Sequence, residues 1–143
     1  MNIPSGLDLE SFVQAAADAI IVADAEGKII LWSRAAERLF GFGESEVLGR
    51  SLDLIIPERL RERHWAGYEK VMRTAETRYG RDVLRVPAAH KDGGTLSIAF
   101  TVAVLRLKEG KRAIAAIMRD ETARWKEERE LRKRLAELEA TKD

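Results

Sequence analysis

The feature that most constrains the fold is a fifteen-residue run, GTLSIAFTVAVLRLK, over residues 94–108. Leu96, Ile98, Phe100, Val102 and Val104 fall on one parity, and Ser97, Ala99, Thr101 and Ala103 on the other. A period of two is the signature of an antiparallel strand with one face on a core. Two more extended stretches flank it, at 78–89 and 111–120, separated from it by the turn signals KDGG and KEGK. Pro87 lacks a ladder donor, so its strand is expected to meet an edge or a bulge. Upstream, AIIVAD (19–24) and KIILWS (28–33) flank AEG (25–27), with Gly27 at the turn, and read as a hairpin. Its arms are nearly continuous in apolar residues, so both of their faces are expected to be covered.

Between and around these strands the spacing becomes helical. Asp8 is an N-cap candidate for a first helix with Phe12, Val13, Ala16 and Ala17 on one side. Ser33 caps a helix over 34–42 that Gly41 ends, and 44–52 holds a further short helical turn. Pro57 fits the first turn of a helix that runs to about Ala75. From Glu121 the chain has no Gly or Pro and is dense in Glu, Lys and Arg. There Leu131, Leu135 and Leu138 repeat with 4–3 spacing and Trp125 stands upstream. That is a long exposed helix with a short coiled-coil seam, and a seam of this kind points to a homodimer. Phe12 and Val13 on the first helix are the second dimer candidate. The division is an N-terminal helix or cap (1–18), a core (19–120) and a C-terminal helix (121–143). The class is α+β: a five-stranded antiparallel sheet with short helices on one face.

Composition narrows the function. The 143 residues carry 34% charged side chains but a net charge of only +1, so no strong field is available to grip nucleic acid. The absence of cysteine excludes disulfides, thiolate metal sites and a flavin–cysteinyl adduct. No apolar run reaches the length of a membrane span, and MNIPSGLDLE lacks the pattern of a signal peptide. A cytoplasmic protein is expected. Ser11 and Ser97 have no sequence neighbours that complete a triad, and no phosphate loop exists, so an enzyme is not expected.

Two histidines remain. His90 lies beside KDGG, where a polar turn residue is ordinary. His64 shares a stripe with Leu60, Gly67, Tyr68 and Val71 at positions i, i+4, i+7, i+8 and i+11 from Leu60, in a helix otherwise covered with Arg, Glu and Lys. An unpaired buried imidazole costs free energy. Neutral imidazole is also a common metal ligand, and one histidine suffices to hold a haem. Three readings stand: a haem ligand, the wall of a pocket for another small molecule, or a filled core.

The hairpin-plus-helix text AIIVADAEGKIILWSRAAERLFGF, the turn and strand HKDGGTLSIAFTVAVL, and the exit IAAIMRDETARWKEE together resemble the PAS family. The resemblance spans residues 8–122, with Ser33 and Phe42 where Asn and Tyr are usual. It implies the PAS fold, sensing rather than turnover, and transmission through the last helix, with Asp120 and Thr122 in the D-x-T junction. ERHWAGYEKVM further resembles the proximal-histidine segment of haem-PAS oxygen sensors. That likeness implies haem b on His64, with Gly67, Tyr68 and Val71 beside it and a diatomic gas or redox state as signal. It places Tyr79, Leu84, Phe100 and Val102 on the distal side, and Lys70, Arg78 and Arg81 near the propionates. The oxygen sensors carry a distal arginine near the position of Leu84, for which Arg81 and Arg85 are only approximate substitutes, and Phe100 is bulky for its place. Without haem, the implied role is a PAS module that dimerises, docks a downstream partner or binds another ligand.

Overall fold

The computed structural model describes residues 1–77 and 80–141. Its elements are α1 (Leu9–Ala15), β1 (Ala19–Asp24), β2 (Ile29–Trp32), α2 (Arg34–Phe40), α3 (Glu44–Val47) and a 3-10 turn (Leu52–Ile55). Then come α4 (Glu58–Thr74), β3 (Leu84–Ala89), β4 (Thr95–Arg106), a 3-10 turn (Lys108–Gly110), β5 (Arg112–Asp120) and α5 (Thr122–Ala140). The strands form one antiparallel sheet in the order β2-β1-β5-β4-β3.

Side-chain parity explains the packing. Ile98, Phe100 and Val102 on β4 lie opposite Asp120, Met118 and Ala116 on β5. Met118 and Ala116 in turn oppose Ala19 and Ile21 on β1. This face carries the core, with Ile29, Trp32, Ala36, Phe40, Val47, Ile55 and Tyr68 closing it from the helical side. Ser33 joins the layers. Its Oγ accepts from Ala36 N (3.3 Å), as an N-cap should, and from Ile20 N on the sheet (2.9 Å). Gly41 ends α2 at φ +83°, a left-handed conformation that favours glycine.

Pro87, on the outer strand β3, pairs with Ser97 of β4, and an outer strand tolerates its missing donor. Two expectations are corrected. Of the stretch expected to be extended from residue 78, residues 78 and 79 lie outside the described residues, residues 80–82 form a turn, and the strand begins at Leu84. Both faces are covered on β1 but not on β2, where Ile30 is exposed because β2 is the opposite outer strand.

The chain enters and leaves the sheet at one end. Ala19 opens β1 opposite Met118 near the end of β5, and Arg119 bridges to the carboxylate of Asp18 with both nitrogens at 3.2 Å. This pair is largely exposed, so it fixes geometry more than it adds stability.

Candidate functional site

His64 lies in the middle of α4, half-buried. Its Nδ1 is the one fully buried side-chain polar atom among the described residues that has no hydrogen-bond partner. Its ring meets the Trp65 ring edge-on at 4.6 Å between centroids, and Tyr68 at 5.7 Å. Both neighbours are themselves anchored. Trp65 Nε1 donates to Asp53 Oδ1 at 2.8 Å, and the Tyr68 hydroxyl donates to the Asp24 carbonyl at the end of β1. Arg61 ties the same 3-10 turn to α4 by donating to the carbonyls of Ile56 (3.1 Å) and Asp53 (3.3 Å). At the far end of α4, Arg112 Nη1 donates to the Met72 carbonyl (2.6 Å), satisfying a C-terminal group that the helix leaves open.

Burial disfavours the His64 imidazolium and lowers its pKa, while the Asp53 carboxylate pulls the other way. Tyr68 is held protonated by burial and by the charges of Asp24 and Glu26. The sign for stability follows for His64. Its folded pKa lies below the ordinary value of 6.5, so the unfolded chain takes the proton first. The contribution is complete above that value and is lost as the pH falls below it. We expect the urea midpoint to drop from pH 7.5 to pH 5.5, and His64→Gln to flatten this window. An unchanged slope in the variant would exclude His64 as its cause. The lowered pKa values of the exposed Glu46 and Asp92 carboxylates act at lower pH.

The predicted site is assembled in part. Tyr68 belongs to the core, and Val71, Phe100 and Val102 pack half-buried against it. Leu84 is half-buried opposite Phe100. Gly67 does not belong to the apolar stripe: it is exposed, and an added Cβ there would meet nothing within 4 Å. The bulky Trp65 ring, not a small residue, lies against His64. Lys70 and Arg81 are exposed. Arg78 and Tyr79 lie outside the described residues. His90 is structural: its Nδ1 accepts from Asp92 N (3.1 Å) and its ring lies against Gly41.

At the exit, Asp120 Oδ1 accepts from Thr122 N (2.8 Å), Thr122 Oγ1 accepts from Ser97 N (3.0 Å), and Glu121 N donates to the Ser97 carbonyl (2.7 Å). The first turn of α5 is thereby tied to β4. Beyond it, Leu131, Leu135 and Leu138 are exposed, as are Trp125 and, on α1, Phe12; Val13 is half-buried. Sequence reasoning passed over Trp65, Asp53 and Arg61. Their hydrogen bonds join residues 5 to 12 positions apart, and no local periodicity marks them. Two clefts are open to solvent, about 420 and 320 Å³, and His64 lines neither.

Residues 7–120 match the family described as PAS fold, and the chain belongs to that family. It is 36% identical over 104 residues to an uncharacterized protein of Azorhizobium caulinodans, covering 72% of this chain and 14% of that one. It is 30% identical over 132 residues to the sensor protein FixL of Bradyrhizobium diazoefficiens, covering 92% of this chain and 25% of that protein. The chain therefore spans a quarter or less of the length of these relatives. The PAS domain of an HTR-like protein from Haloarcula marismortui superposes with a TM-score of 0.63 at 28% identity, covering 78% of this chain and 88% of that one. The chain is thus a PAS domain. No helix of the described residues is long and apolar enough to cross a membrane.

Proposed function

We propose that this PAS domain senses through haem b held by the imidazole of His64. The observation that carries this reading is the buried, unpartnered Nδ1 in a ring whose neutral form is favoured. A porphyrin supplies four of the iron's donors, so a lone histidine meets the need even though the described residues hold no cluster of three metal-ligating side chains. His64 is the type of donor such a group needs, and the core side chains Tyr68, Val71, Phe100 and Val102 are the type of wall. When bound, the iron would offer a position for a diatomic gas or a change of redox state.

The residues of this chain do the rest. Trp65 and Tyr68, each fixed by its own hydrogen bond, hold the His64 ring in orientation. Leu84, Phe100 and Val102 supply the apolar wall on the sheet. Lys70 and Arg81 offer charge at the surface for propionates. The bonds among Asp120, Thr122 and Ser97 carry a shift of the sheet into α5. In this reading Leu131, Leu135 and Leu138 form the seam of a homodimer in a cytoplasmic protein with a separate downstream partner, and Trp125, nearer the root of α5, stays outside it.

Protein reconstituted with haem is expected to show a Soret band, and His64→Ala to abolish it with circular dichroism unchanged. A full Soret band in the variant would remove His64 from the site. Removing residues 123–143 is expected to turn the dimer into a monomer by sedimentation while the band persists; a truncated dimer would place the seam elsewhere.

A second reading rests on the filled interior. Ile98, Met118, Phe100 and Tyr68 occupy the layer between sheet and helices, and His64 lines neither cleft. A haem-free PAS module that dimerises or docks a partner needs no internal cavity. Protein that stays colourless, folded and dimeric after reconstitution would decide for it.

A further inference from the structure

The larger cleft, about 420 Å³, lies where α5 leaves the sheet, between the first turn of α4, the outer strand β3 and the first turns of α5. Its charge is unbalanced. Arg59, Arg85, Arg124 and Lys126 line it against two carboxylates, Glu121 and Glu128. Arg124 already serves both carboxylates, at 3.8 and 3.3 Å. Arg59, Arg85 and Lys126 are left without an ion-pair partner among the described residues. They come from three different elements yet border one concavity. On a convex surface such cations are simply solvated. Here apolar Val86, Pro87 and Leu96 form part of the wall, and low-dielectric walls around like charges concentrate a positive potential. The Trp125 indole, about half exposed, completes the lining; the Arg129 guanidinium, which does not line the cleft, lies 5.3 Å over its ring, so a ligand ring would stack on the opposite face. The volume falls within the usual range of small-molecule sites.

We propose that this cleft is a second ligand site, separate from His64, that takes a small anion joined to a planar ring, such as a nucleoside monophosphate or an aromatic carboxylate. Guanidinium groups pair with the phosphate or carboxylate, and the indole takes the ring. Thr122 and Ser97 line the same cleft, so its ligand touches the hydrogen-bonded root of α5 directly. The proposal does not depend on haem.

Calorimetric titration of the full chain at low salt tests it, with adenosine monophosphate, benzoate, adenosine and inorganic phosphate as probes. At least one of the two ring-bearing anions is expected to bind with a Kd below about 1 mM, and adenosine and phosphate about tenfold more weakly or worse. Binding of adenosine monophosphate alone identifies a nucleotide site, and of benzoate alone a carboxylate site. The double variant Arg59→Gln, Arg85→Gln is expected to lose about tenfold or more in affinity, because each guanidinium removed is a charged hydrogen-bonding partner. Trp125→Ala should reduce the ring-bearing anion to the level of phosphate. Thermal melts confirm that both variants fold. The proposal fails if neither ring-bearing anion binds, if phosphate or adenosine binds as tightly as they do, or if the arginine variant binds like the parent chain.

Discussion

Trp32→Ala is expected to remove about 3–5 kcal/mol of stability, a large part of the total for a domain of this size. Trp32 is 1% exposed at the end of β2, its ring packs at 5.5 Å from that of Phe40, and its Nε1 donates to the Phe42 carbonyl at 2.9 Å. Alanine leaves a cavity in the core and strips the carbonyl of its donor. Trp32→Phe separates the two losses: it keeps most of the apolar contact and should cost nearer 1 kcal/mol, the net worth of one hydrogen bond. Urea denaturation of both variants reads the difference directly. Equal midpoints for the alanine variant and the parent chain would mean that β2 and α2 are not part of the cooperative core.

Gly27→Ala is the second large effect, and it bears on the site. Gly27 has φ +78°, and an added Cβ would overlap the Cη2 and Cζ3 atoms of Trp65. Backbone strain alone costs about 1–2 kcal/mol at such an angle. Gly49 provides the matched control, with φ +81° and nothing within 4 Å of a Cβ. Gly49→Ala therefore carries only the backbone cost, and the excess for Gly27→Ala measures the displacement of Trp65. Since Trp65 flanks His64, the Gly27 variant should also broaden the His64 imidazole signals in NMR, while the Gly49 variant should not. Identical destabilisation by the two substitutions would show that Trp65 yields without cost.

What could be read in advance depended on the range of the interaction. The alternation over residues 94–108 placed β4 and its core face, because period two is written in adjacent residues. Ser33 announced the start of α2, but the same Oγ also accepts from Ile20, thirteen residues away, which no capping rule anticipates. His64 and Tyr68 share a face because they stand one turn apart. The partners that orient them, Asp53 through Trp65 and Asp24 through Tyr68, come from other elements. Gly67 shows the limit of a stripe drawn on an ideal helix: seven residues turn through slightly less than two full turns, and the position drifts to the solvent edge. The cleft at the root of α5 was invisible for the same reason, since its cations come from residues 59, 85 and 126.

The pairing of Ala19 with Met118, and of Asp18 with Arg119, places the entering and leaving strands side by side. Neighbouring strands lie about 5 Å apart. Segments attached before β1 and after β5 would thus be anchored at almost the same point. Tension applied between them loads the β1–β5 ladder from its end, so its rungs are opened one at a time, as in a zipper, rather than all at once in shear. The Asp18–Arg119 pair, together with the bonds of Glu121 and Thr122 to Ser97, forms the first clasp in that sequence. A domain built this way is expected to have little mechanical strength along the line joining its neighbours. A pull or twist on the flanking helices would therefore be felt first at the two central strands of the sheet.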